Sequence, residues 1–171
     1  IVMSCPYTSL KNRMVGYINQ ILRPKREEFG GMPVCPFAGP ELDQGKLLID
    51  IFDPSKGSFI DKVKEFHESK YSSALFAHIK NNKIEGNKET RHYQSFLNKQ
   101  LKENGFTQYK IICFNPSDSV TDIDGFNPRQ FAPSFLINIA DRKELGKAHR
   151  IMVGTKYFDK MSDTYKKYLN I

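Results

Sequence analysis

Cys35 is the residue whose setting promises chemistry. It lies in the run Gly30-Gly31-Met32-Pro33-Val34-Cys35-Pro36-Phe37-Ala38-Gly39-Pro40. Proline fixes its own φ and pushes the preceding residue out of helical geometry, so Cys35 is held on an extended, pre-set backbone. Pro36 offers no amide hydrogen beside the sulfur, which leaves Phe37 or Ala38 as hydrogen-bond donors to it. A thiol held this way suits a nucleophile or, as thiolate, a ligand to iron. The competing reading is a small buried hydrophobe, the commonest fate of a free cysteine. Cys113 sits within an apolar run and reads as core, and Cys5 is too near the start of the chain to carry the same weight.

A second segment, from Asn115 to Pro133, is long and polar and follows a candidate strand. Loops that leave strand ends are where α/β proteins place ligands. Asp118, Asp122 and Asp124 do not have the spacing of an EF-hand loop, so Asp122 and Asp124 read as a solvated turn. Arg129, flanked by prolines and apolar residues, is placed to hold a carboxylate with both arms of its guanidinium. His67, His78, His92 and His149 form no legible triad or metal set, and no glycine-rich nucleotide loop is present.

These segments need elements to position them. Leu10, Met14, Ile18, Ile21 and Leu22 recur at helical spacing after Thr8 or Ser9 as cap, and Pro24 ends that helix. Residues 28–45 read as a loop, Leu47–Phe52 as a buried strand, and Ser58 with Asp61 as a capping box opening a helix through Phe59, Val63 and Phe66. Ser73–Ile79 is a strand. A helix carrying Tyr93, Phe96, Leu97 and Leu101 is closed by Gly105. Lys110–Phe114 and Ser134–Ile139 are further strands, and Arg150–Val153 is a short fifth. A last helix buries Tyr157, Phe158, Met161, Tyr165 and Leu169. Strands alternating with helices predict one α/β domain over residues 1–171, with helices packed on a mixed four- to five-stranded sheet.

The 171 residues suit a single domain, and 39% hydrophobic with 26% charged residues excludes a disordered chain. No apolar run is long enough for a membrane span and no signal-peptide pattern opens the sequence, so a cytoplasmic location is expected. Three cysteines argue against a disulfide framework. The formal charge is +7. Its lysines and arginines are dispersed, which reads as a mildly basic surface and makes nucleic acid an unexpected partner.

Pro33-Val34-Cys35-Pro36-Phe37-Ala38, followed by Phe114-Asn115-Pro116 and Asn127-Pro128-Arg129, resembles small bacterial proteins that carry a CPFA motif. Those proteins show histidine at the position of Asn115. The C-terminal run Phe135-Leu136-Ile137-Asn138, then Arg142, Lys147, His149 and Arg150, then Met152-Val153-Gly154 and Phe158-Asp159, is similar to the YqcI/YcgG family, some of whose members are haem-thiolate enzymes. The resemblance implies haem b with Cys35 as axial metal ligand and Pro36 and Phe37 at the cofactor. It implies Arg129, Arg142, Lys147, His149 and Arg150 as partners of the propionates. It further implies Asn115 and Asp118 over the reacting face, with Asp118 binding a cationic amine. The reaction would be hydroxylation of an amine or amino acid, with an electron donor as partner, and a homo-oligomer is compatible with it. Two other readings stay open: a non-enzymatic module for an anionic ligand or partner, and a cysteine-dependent enzyme without haem.

Overall fold

The computed structural model describes residues 7–79 and 84–169, so the Cys5-Pro6 dipeptide lies outside the described residues. In chain order the elements are α1 (Thr8–Tyr17, continued by a π turn, Ile18–Leu22), β1 (Lys25–Arg26), β2 (Met32–Pro33), α2 (Ala38–Asp43), β3 (Leu47–Phe52), α3 (Phe59–His67), β4 (Ser73–His78), α4 (Gly86–Glu103), β5 (Tyr109–Phe114), β6 (Phe135–Asp141), α5 (Arg142–Val153) and α6 (Asp163–Leu169). The architecture is α/β: a four-stranded mixed sheet in the order β3-β4-β6-β5, a two-strand hairpin of β1 and β2, and packed helices. β3 and β4 are parallel, and β6 runs antiparallel to both β4 and β5. No helix among the described residues is long and apolar enough to cross a membrane.

Alternation along each strand splits the core into two layers. One face carries Phe52, Ala74, Phe76, Ile111, Cys113, Phe135, Ile137 and Ile139, covered by Phe59, Val63 and Phe66 of α3 and Leu97 and Leu101 of α4. Cys113 is fully buried there, as expected from its run. Ser58 forms the predicted capping box, its hydroxyl accepting from the Asp61 amide while Asp61 accepts from the Ser58 amide. The opposite face presents Leu47, Ile51, Leu75, Ala77 and Leu136 to Met14, Tyr17, Ile18 and Leu22 of α1 and its π turn. A third, smaller cluster joins Phe29, Ile123, Tyr157, Met161 and Tyr165 and fastens the hairpin to the C-terminal segment.

Arg150–Val153, expected as a fifth strand, is the last turn of α5. The run continues the helix because Asp141 accepts from the amides of Lys143 and Glu144 and nucleates it directly after β6. Ile151 and Val153 are consequently exposed. Residues 28–45 are more ordered than a loop, holding β2 and α2, and the C-terminal helix begins only at Asp163. α1 starts at Thr8 without a side-chain cap.

The outer edge of β5 is closed by side chains. Asn98 of α4 donates to the Ile111 carbonyl at 3.0 Å and accepts from the Ile111 amide at 2.9 Å. Gln94 accepts from the Cys113 amide at 2.8 Å, and Arg129 donates to the Cys113 carbonyl at 3.0 Å. An edge satisfied in this way has little left to offer another strand. Asn98→Ala removes two of these bonds at once and strands the Ile111 groups. It is expected to lower unfolding stability by about 1–3 kcal/mol in urea titration.

Candidate functional site

The π turn is where the site starts. Its widened hydrogen bond runs from the Arg23 amide to the Ile18 carbonyl at 2.8 Å, and the Leu22 carbonyl accepts from the Cys35 amide at 3.1 Å. Arg23 then reaches across to α2, donating to the Gly39 carbonyl at 2.8 Å and to Asp43 at 2.7 Å. The segment 33–38 is thereby drawn onto the second face of the sheet.

Beside it lies a cleft of about 650 Å³, within the ordinary range for small-molecule sites. Leu47, Leu75, Phe114, Asn138 and Ala140 form its floor. Cys35, Phe37, Ala38 and Glu41 form one wall, and Lys143, Glu144, Leu145 and Ala148 of α5 the other. Alternation explains the floor, since residues 138 and 140 of β6 face away from the α3–α4 layer. Cys35 is half-buried, and burial raises its thiol above an ordinary cysteine. The backbone amides of Phe37 and Ala38 beside the sulfur oppose that rise, whereas the Glu41 carboxylate adds to it.

Glu41 is the functional candidate that sequence reading missed. Its Oε2 accepts a short hydrogen bond from the hydroxyl of Ser73, a buried residue at the start of β4. Among the described residues no lysine or arginine lies within ion-pair distance of it. Its position in a glycine- and proline-rich stretch concealed it, because that stretch gave no sign of α2.

The other expected residues are elsewhere. Asp118 and Arg129 form a buried ion pair at 3.4 Å, with side-chain exposures of 0% and 3%. Asn87 donates to both Asp118 oxygens, and the Val120 amide donates to one of them. Asn115 is also buried, donating to the Ile84 carbonyl at 3.1 Å and to the Thr90 hydroxyl at 2.8 Å. Asn115 and Asp118 thus lock the long loop to α4 rather than overlie the cleft. Arg129 does not line the cleft, although its guanidinium sits 5.0 Å from the Phe114 ring that does. Arg142 donates to the Thr107 carbonyl, Lys147 pairs with Glu144, His149 packs on Phe158, and Arg150 is exposed in the last turn of α5. Asp122 and Asp124 do make a turn, Asp122 accepting from the Gly125 amide.

The donor set for haem can be tested on this geometry. The sulfur of Cys35 has the amide partners that favour a thiolate, and Phe37 stands beside it on the wall. Pro36 and the five expected cations are not on the cleft walls. The charged side chains that do line the cleft are Glu41, Asp141 and Glu144 against Lys46 and Lys143. Among the described residues, two propionates would meet three carboxylates and none of the five cations expected for them, so these residues do not fit haem as a dianionic ligand.

Because burial holds the thiol protonated, alkylation of Cys35 should be slower at pH 7 than that of free cysteine and should accelerate only above the ordinary cysteine pKa of about 8.5. Mass spectrometry of the Cys35 peptide across a pH series measures this. Arg129→Met leaves Asp118 buried without its cation and is expected to destabilise the fold by about 3–5 kcal/mol, against no measurable change for Glu144→Gln on the surface, both read by urea unfolding. No known family model, no curated protein and no solved structure matches this chain, so function is read from the cleft itself.

Proposed function

We propose that the cleft beside Cys35 binds a small molecule carrying an ammonium group, an amine or amino acid, with Glu41 as its counter-charge. The observation that carries this reading is the state of Glu41: half-buried, held by Ser73 and without a cationic partner among the described residues. A carboxylate partly withdrawn from water is stabilised by an opposite charge, and an ammonium arriving along the cleft supplies one. Ser73 occupies Oε2 and leaves Oε1 to the ligand, while the apolar floor receives the ligand's carbon skeleton. Charge-assisted hydrogen bonds of this kind give orientation as well as affinity.

A second reading is the haem-thiolate oxygenase that the family resemblance implies, and the two amides on the Cys35 sulfur favour it. The chain's own residues would contribute the sulfur, its amide donors and the shielding walls. The charge balance of the cleft argues against it.

Titration calorimetry with putrescine and lysine, using succinate as control, separates the readings. Amine binding that weakens roughly tenfold to a hundredfold in Glu41→Gln, as expected for loss of a charged hydrogen bond, supports the proposal. An unchanged amine affinity in Glu41→Gln overturns it, and preference for succinate overturns it in favour of a module for anions. A Soret band on addition of haemin that loses its thiolate character in Cys35→Ala would establish the second reading.

A further inference from the structure

We infer that the Tyr157 hydroxyl is a positioning group for the cleft wall, so that the C-terminal segment sets how Cys35 is presented. The inference rests on the cleft being the functional site. It concerns the peptide unit joining Val34 to Cys35. The carbonyl of that unit accepts a short hydrogen bond from the Tyr157 hydroxyl, across 123 positions of sequence. The amide of the same unit donates to the Leu22 carbonyl at 3.1 Å. One peptide plane is therefore gripped at both ends by two separate elements, the π turn after α1 and the segment following α5. Pro33 before it and Pro36 after it remove most of the remaining freedom. With that plane held, the backbone amides of Phe37 and Ala38 stand beside the sulfur.

The grip is built to last. The Tyr157 ring is buried, 5.1 Å from Phe29 and 4.9 Å from Phe158 by ring centroids. Burial, with Tyr165 nearby, keeps its phenol well above the ordinary tyrosine range, so the donor proton is retained. The hairpin approaches this segment closely: at Gly30, whose φ is 62°, a Cβ would lie 2.5 Å from the Lys156 carbonyl oxygen. Val34 itself packs into both the second and the third core clusters. The third cluster thus stabilises the C-terminal segment and, through one hydroxyl, the wall of the cleft.

The test compares Tyr157→Phe, which removes only the hydroxyl, with Met161→Ala, which disturbs the same cluster without touching the peptide unit. Alkylation of Cys35 by iodoacetamide, followed on its peptide by mass spectrometry, should be roughly fivefold faster in Tyr157→Phe, the change one lost hydrogen bond makes in an opening equilibrium. Its pH midpoint should move down as burial is relieved. Met161→Ala, which keeps the hydroxyl, should change both far less than Tyr157→Phe does under folded conditions. Equal acceleration in the two variants, or none in Tyr157→Phe, overturns the inference. Hydrogen exchange of the Cys35 amide, which donates to Leu22, gives a second readout: faster exchange in Tyr157→Phe than in the unaltered protein supports the grip, and identical exchange overturns it. Failure of every amine to bind would remove the proposed function while leaving the thiol readout intact.

Discussion

One buried guanidinium organises much of this molecule. Arg129 reaches Cys113 at the edge of β5, Asp118 in the long loop and the Phe114 ring, all from a site almost closed to water. A lone buried charge would be prohibitive, so the Asp118 carboxylate must come with it, and Asn87 then satisfies that carboxylate from α4. Asn127 completes the circuit, accepting from the Arg129 amide at 3.0 Å and donating to the Asp118 carbonyl at 2.8 Å. A loop that would otherwise be loose is fixed against α4. The strand edge is sealed in the same step, and Phe114 is held as part of the cleft floor.

The cleft itself follows from unequal covering of the two sheet faces. α3 and α4 span one face from β3 to β5. On the other, α1 and its π turn lie over β3 and β4, while α5 leaves the end of β6 and packs back beside it. The strip between them, over Asn138 and Ala140, is left for α2 and the Cys35 segment to border. A π turn widens a helix by one residue and is frequent where function is built. Here it aims Ile18 and Leu22 at the cleft and presents the carbonyl that holds Cys35.

The elements with strong periodicity were legible in the sequence. β3 matched residue for residue, and the Ser58–Asp61 capping box formed as read. Arg150–Val153 misled because its apolar run satisfies a strand pattern as well as the end of a helix, and only the Asp141 cap upstream decides between them. The placing of Cys35 between two prolines was also legible, but where an extended backbone is expected the chain bends at residues 34 and 35 after β2 ends at Pro33. The partners of Cys35 were not legible. Leu22, Tyr157 and Glu41 come from three separate elements, and nothing local in their sequence marks the contact. Arg129 reads from sequence as held in place, and Asn115 and Asp118 as site residues only through the resemblance; all three bind their own chain, and sequence alone does not separate a polar group held for a ligand from one held for the fold.

The charge of the chain carries the same distinction. A surplus of +7 suggests anionic partners, but that surplus is spread over the surface while the cleft is lined by three carboxylates and two lysines. Surface charge acts over a Debye length and sets steering and solubility. A half-buried group acts at contact distance, where water screens it far less. Of the cleft carboxylates, Asp141 caps α5 and Glu144 pairs with Lys147, so both have work within the fold. Among the described residues, Glu41 is held by a neutral hydroxyl and by no cation. The net charge of the protein therefore says little about what enters the cleft, and one carboxylate with its neighbouring thiol says more.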